Sequence, residues 1–302
     1  MITILGPTAS GKTLLASNLA SCINGEIISA DSRQVYKYMN IGTGKDYDDY
    51  VVNGNPVPYH LIDIVEPGYE YNIYEYQRDF FNVYDDILLR DKKPILCGGS
   101  GLYIQAVLKA YNLIKVPENI PLRDSLSDKS DEDLKIILLS YNKKLHNTTD
   151  ISDRNRLIKA IEIQEYYKSN PEVVNKYPEI KSKIFGINYS REIIRQRITE
   201  RLKARLNQGM IEEVENILNK GVKPEKLKFY GLEYRYITNF ILGEISYDKM
   251  FALLNTAIHQ FAKRQMTWFR RMQKQGMKID WIDGNMPLEE KVDYIIKKAT
   301  VL

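Results

Sequence analysis

Eight residues near the start of the chain, Gly6-Pro7-Thr8-Ala9-Ser10-Gly11-Lys12-Thr13, follow the pattern G-x-x-x-x-G-K-[ST], which cradles polyphosphates. Its glycines let the backbone curl until successive N–H groups face one point, and the start of a following helix adds partial positive charge there. Lys12 is spaced to reach the outer phosphate, and the Thr13 hydroxyl to ligate Mg²⁺. The apolar run Ile2-Thr3-Ile4-Leu5 reads as a strand before the loop, and Leu14 to Ala20 as a helix after it. The loop leaves open whether the ligand is a nucleotide such as ATP or another diphosphate.

Two more junctions of this kind follow. Glu26 to Ala30 reads as a second strand, ending at Asp31-Ser32-Arg33-Gln34-Val35-Tyr36. In doubly wound sheets ligands sit beyond the carboxyl ends of strands, which puts Asp31 on the rim of the phosphate loop. A carboxylate there can take a proton, but Asp-Ser ahead of a helix-compatible run equally suits a helix N-cap. Lys93 to Cys97 is a short buried strand ending in Gly98-Gly99-Ser100-Gly101, with a helical run from Leu102 to Leu108 behind it. GGSG alone is often only a tight turn; three junctions in order, opening at residues 6, 31 and 98, predict an α/β core with a P-loop-type parallel sheet flanked by helices. Between them lie a glycine-punctuated loop, Ile41 to Lys45, and a strand predicted from Tyr59 to Val65. His60 in that strand has no partner at metal-ligand spacing and reads as a hydrogen-bonded structural histidine, while Asp63 is a weak candidate for an acidic strand end.

These elements must be carried by a chain of 302 residues, enough for one large or two modest domains. From about residue 112 the texture turns polar and lysine-rich. Ser130 to Asp133 resembles a capping box opening a helix through Tyr141, and Ser152 or Asp153 opens another through about Lys168, with Arg156 and Lys159 on one face. The spacing predicts a small all-helical insertion over 112–185 in a core formed by 1–111 and 186–302. Beyond it the pattern is helical: Arg191 to Asn207, Met210 to Asn219 closed by Gly221, and a tail helix from Leu253 to Lys274. In the tail helix Lys263, Arg264, Arg270, Arg271 and Lys274 interleave with Phe261, Trp268 and Phe269, which suits either RNA or, for the aromatics, a core. Net charge is +4, yet it is uneven: eleven acids and four bases lie between Asp31 and Asp86, whereas Lys249 to Ile279 holds seven Lys/Arg and no acid. No run approaches the roughly 18 apolar residues of a membrane helix, and no basic segment precedes an apolar one at the N-terminus, so no membrane association and a cytoplasmic location are expected. Cys22 and Cys97 lack any CxxC or Cys/His spacing, which excludes a recognisable zinc site or disulfide framework.

Taken together, GPTASGKT at 6–13, DSRQVY at 31–36, IGTGK at 41–45, YHLIDIVEP at 59–67, GGSGLY at 98–103, DRNRLIKAIE at 153–162, the segment from Arg201 to Val214 and FAKRQMTWFRR at 261–271 resemble the tRNA dimethylallyltransferases. The resemblance runs in order over nearly the whole chain, and the absence of a Cys/His finger after the tail helix matches the bacterial type. It implies that Gly6, Pro7, Thr8, Ala9, Ser10, Gly11, Lys12 and Thr13 hold the diphosphate of dimethylallyl diphosphate, with Mg²⁺ on Thr13. Lys12, Asp31 and Ser100 are then catalytic. Asp31, Ser32, Arg33, Gln34 and Ser100 touch the target base, and Arg123 with Asn155, Arg156, Leu157, Ile158 and Lys159 grips the anticodon arm of tRNA. Ser100 stands where the family usually has threonine, and Lys159 where it has arginine, which gives up bidentate phosphate contact. No obligate protein partner is implied, so a monomer is expected. The competing reading from the loop is a small-molecule or nucleotide kinase, which would turn over ATP and have no use for a basic aromatic tail helix.

Overall fold

A computed structural model describes residues 1–141, 153–172 and 177–300. The chain forms two compact units, one of Met1–Tyr111 with Pro178–Leu302 and one of Asn112–Tyr177. In chain order the first unit opens with β1 (Ile2–Leu5), α1 (Lys12–Ile23) and β2 (Gly25–Ala30), followed by a small hairpin of β3 (Val51–Val52) and β4 (Asn55–Pro56). Then come β5 (Tyr59–His60), α2 (Ile73–Leu89), β6 (Lys93–Gly98) and α3 (Gly101–Leu108). The second unit contains α4 (Ile120–Leu126), α5 (Asp131–Tyr141) and α6 (Arg154–Ser169), closed on a core of Leu126, Leu134, Leu138, Leu157 and Ile161. Back in the first unit the chain makes β7 (Lys183–Asn188), α7 (Arg191–Asn207), α8 (Met210–Asn219), α9 (Pro224–Leu227), α10 (Leu232–Ile241), α11 (Tyr247–Lys274), β8 (Ile279–Asp283) and α12 (Leu288–Thr300).

The main sheet has the order β5-β2-β6-β1-β7-β8 and all its pairings are parallel. Its central strands are short apolar runs buried on both faces, as parallel strands covered by helices must be. One face packs α1 and α12 through Leu15, Leu19, Val292 and Ile295 against Ile4, Ile27 and Phe185. A second core gathers Ile198, Leu202, Val214, Ile237, Leu254 and Ile258 from α7, α8, α10 and α11 around Val35, Tyr36 and Met39. The order of strands reverses at β1, so a crevice opens at its carboxyl end.

Several sequence expectations change. The second unit stops at Tyr177 rather than 185: the Ile180 N–H already bonds the Leu108 carbonyl at 3.2 Å, and β7 pairs with β1 inside the main sheet. Residues 32–35 form a turn and no helix. The strand expected from Tyr59 to Val65 ends at His60, because Leu61 and Asp63 both adopt positive φ, 62° and 57°. The last part of the chain is not wholly helical, since β8 adds an edge strand to the sheet. α11 begins at Tyr247, six residues before the apolar pattern becomes regular, because Ser246 caps it by accepting from the Lys249 N–H. Asp153 caps α6 in the same way through the Arg156 N–H; its rival Ser152 lies outside the described residues.

Candidate active site

Strand register does the first part of the positioning. Gly98 pairs with Leu5 on one side and with Ala30 on the other, so three strands end at one level. Gly6, Gly99 and Asp31 therefore leave the sheet side by side, with Gly6 and Asp31 about 10 Å apart across the strand between them. Only glycine fits at 98, where a Cβ would lie 2.2 Å from the Ala30 carbonyl oxygen.

The phosphate loop is strained into shape: Ala9 has φ 62° and Gly11 φ 78°. α1 starts directly after it with no side-chain cap, which leaves its first amides free for an anion. Within the loop the Ser10 hydroxyl is buried and has no hydrogen-bond partner among the described residues, and the Thr13 hydroxyl makes none either. Burial pulls the Lys12 ammonium below its ordinary value, an effect opposed by Asp31 and Asp46 and reinforced by Arg201. A cation that burial has partly stripped of water gains more from an arriving anion than an exposed one would.

Asp31 is not the helix N-cap that its sequence allowed. Its Oδ1 accepts the Arg33 N–H at 2.9 Å, capping a turn instead of a helix, and its second oxygen accepts no hydrogen bond among the described residues. Ser100 is held against it: its N–H donates to the Ala30 carbonyl at 3.1 Å, and its Oγ accepts the Ser32 N–H at 3.1 Å. Gln34 bonds the Gly44 carbonyl at 3.0 Å, tying this turn to the glycine loop at 41–45. The structure thus brings Lys12, Asp31, Ser32, Arg33, Gln34 and Ser100 to one rim.

Three supports of this rim carry little sequence signal. Gln265 of α11 accepts the Thr8 N–H at 2.8 Å and donates to the Gly99 carbonyl at 3.0 Å, joining two glycine turns. Glu213 of α8 accepts the N–H groups of Asn40, Ile41 and Gly42 at 2.8, 2.7 and 3.0 Å, and the Tyr234 hydroxyl at 2.7 Å. On α7, Arg197, Arg201 and Arg205 recur every fourth residue along one side. Arg197 donates to the Ala9 carbonyl at 2.9 Å and lies over the Tyr189 ring, while Arg201 and Arg205 both pair with Asp46. The repeat i, i+4, i+8 of arginine was the available sign. Asp63 is no free acidic strand end: it pairs with the buried Lys45 at 2.5 Å and accepts from Tyr47. His60 bonds Glu26 at 2.7 Å, the structural role expected of it.

In the second unit, Arg123 and Lys159 meet at the buried Glu162, at 3.1 and 2.5 Å. Burial alone would raise that carboxyl; these partners and the Asn119 N–H outweigh it and hold it below its usual value. Leu157 is fully buried and Ile158 is partly buried on the same core, whereas Asn155 and Arg156 are exposed. In the tail helix Phe269 is buried and Trp268 packs over Gly101, whereas Lys263, Arg264, Arg270, Arg271 and Lys274 are exposed. No group of three or more His, Cys, Asp or Glu among the described residues could hold a metal, and none of their helices is long and apolar enough to cross a membrane.

Comparison with known proteins points to one family. The family model described as IPP transferase matches residues 34–272. A tRNA dimethylallyltransferase of Parabacteroides distasonis is 58% identical over 97% of this chain and 95% of its own. One from Phocaeicola vulgatus is 56% identical over 98% and 96%. The solved tRNA delta(2)-isopentenylpyrophosphate transferase of Staphylococcus epidermidis superposes with a TM-score of 0.69 at 30% identity, covering 99% of this chain and 97% of that one.

Proposed function

The chain belongs to the tRNA dimethylallyltransferase family, and from that premise we propose that it moves a dimethylallyl group from dimethylallyl diphosphate to the exocyclic amino nitrogen of the adenosine 3′ to the anticodon of tRNA, releasing diphosphate. The kinase alternative has no counterpart among these relatives. The observation that carries the reading is the common level of three strand ends, which sets an anion cradle beside a carboxylate with one oxygen unused.

In this reading the allylic carbon–oxygen bond breaks as the nitrogen attacks, and the electron pair leaves on the diphosphate. The amides at the start of α1, Lys12 and Arg197 stabilise that growing charge. The exocyclic amine is a weak nucleophile because its lone pair is delocalised into the ring, so Asp31 takes its proton as the new bond forms, a contribution of roughly 10²–10⁴ in rate. Ser100 holds the Asp31 turn and faces the same rim. The target base must leave the stack of the anticodon loop to reach it. Asn155 and Arg156, exposed on α6, are the second unit's candidates to meet the RNA backbone, while Arg123 and Lys159 are engaged with Glu162.

Mg²⁺ fits the donor set: among the described residues Thr13 offers an unpaired hydroxyl and no cluster of carboxylates stands ready, the pattern of an ion held chiefly by substrate oxygens and water. Bound there with the diphosphate, it would neutralise part of the leaving group's charge. We further propose a cytoplasmic location, supported by the tRNA substrate. Incubating the enzyme with labelled dimethylallyl diphosphate, undermodified tRNA and Mg²⁺ is expected to label the tRNA; transfer of phosphate from ATP without prenylation would overturn the reading.

A further inference from the structure

Beside Asp31 the rim carries two groups that neither donor binding nor proton transfer employs. Arg33 has its N–H fixed by the Asp31 carboxylate at 2.9 Å, yet its guanidinium has no carboxylate within ion-pair distance among the described residues. It lies over the ring of Phe229, 5.5 Å from the centroid. Phe229 is 53% exposed, more than any other aromatic residue among the exposed large hydrophobics of the described chain. It is not a loose side chain on a mobile loop. Its N–H bonds the Lys226 carbonyl at 3.0 Å, and the next residue, Tyr230, is buried and packed 4.5 Å from Tyr36, with its ring edge-on to Phe229 at 6.2 Å.

Packing does not account for this arrangement. An isolated exposed apolar residue is ordinary, but here a half-exposed ring sits on a buried aromatic pedestal beneath an arginine left without an anion. An aromatic face and a planar guanidinium are the two side-chain surfaces on which unpaired bases stack. When the target adenosine swings out of the loop, the base next to it loses a stacking neighbour. We propose that Arg33 and Phe229 form a stacking platform for that flanking nucleobase and thereby select and hold the anticodon loop in its opened form. This rests on the prenyl-transfer reading above and adds to it a specificity-determining residue, Phe229, that no motif in the sequence marks.

The test uses the full-length enzyme and an anticodon stem-loop RNA, intact or with an abasic nucleotide immediately 5′ or 3′ of the target adenosine. F229A is expected to raise the KM for intact RNA about 5- to 100-fold, with the KM for dimethylallyl diphosphate and the thermal midpoint unmoved, and F229W to restore RNA affinity. One of the two abasic RNAs should cost the wild type a similar factor while costing F229A nothing more. Wild-type RNA affinity in F229A, or equal losses on intact and abasic RNA in both proteins, would overturn the platform. Direct RNA binding by fluorescence anisotropy is read in parallel: absent prenyl transfer by the wild type refutes the enzymatic reading, whereas loss of coupling between Phe229 and the flanking base refutes the platform.

Discussion

Replacing Gln265 by leucine removes both ends of the bridge between the phosphate loop and the Gly99 turn while nearly preserving volume. Gln265 is 7% exposed, so water does not take over. The Thr8 N–H and the Gly99 carbonyl are then left without their partner, at a cost of about 1–3 kcal/mol each. A total of about 2–6 kcal/mol is a large share of the roughly 5–15 kcal/mol that holds a domain folded. Equilibrium denaturation should show a lowered midpoint with an unchanged slope. Function should suffer at the loop: the KM for dimethylallyl diphosphate rises because Thr8 no longer fixes the turn that aims the amides at the diphosphate, while the KM for tRNA moves little. Q265E sharpens the test. Its carboxylate can still accept the Thr8 N–H, but ionised it cannot donate to Gly99 and presents oxygen to oxygen. Protonation restores the donor, so Q265E should recover donor affinity as pH falls while Q265L does not. A Q265L enzyme with wild-type midpoint and donor KM would refute the assigned role.

Asp31→Asn keeps an oxygen to cap the Arg33 N–H but cannot take a proton, and should lose roughly 10²–10⁴ in transfer rate with tRNA binding retained in a gel-shift assay. Gly98→Ala forces a methyl to within 2.2 Å of the Ala30 carbonyl oxygen, and because backbone cannot step aside, a loss of about 3 kcal/mol, the upper end for overpacking, is expected in denaturation. Glu26 is buried and held below its usual pKa by the Arg90 hydrogen bond first, with His60 assisting. A depressed carboxylate stabilises the fold above its unfolded value of 4.5 and loses that contribution as pH falls through the folded value. The thermal midpoint should therefore drop in that acid window, and E26Q should be less stable at neutral pH and show a flatter acid limb.

Local signals were readable in the chain and distant partners were not. The phosphate loop is eight consecutive residues between a strand and a helix, so its whole motif sits inside one window. α7 and α8 could be drawn from their helical patterns and from Gly221 closing the second. β8 escaped notice because five residues, Ile-Asp-Trp-Ile-Asp, become a strand only by pairing with β7. Whether Asp31 opens a helix or a turn could not be decided, since both caps use the same residue types; the turn is held by Ser100, far along the chain, taking the Ser32 N–H.

The tail helix shows why such pairs stay hidden. Its sequence reads as a basic segment with aromatics, and the two sets of residues divide between its sides. Ala262, Gln265, Phe269 and Met272 recur at spacings of three and four and face inward, so they form one stripe. Lys263, Arg264, Arg270, Arg271 and Lys274 fill the other side and face solvent. Within the inner stripe a polar glutamine looks like an interruption of the apolar pattern. Its presence makes sense only once two glycine turns from other parts of the chain are brought to its two ends, one N–H and one carbonyl, which a single amide satisfies and no apolar residue could. A polar residue breaking an otherwise apolar helical stripe is therefore the mark by which such a bridge could be sought, and the two loops it joins here are the glycine-rich loop at 6–13 and the Gly99 turn.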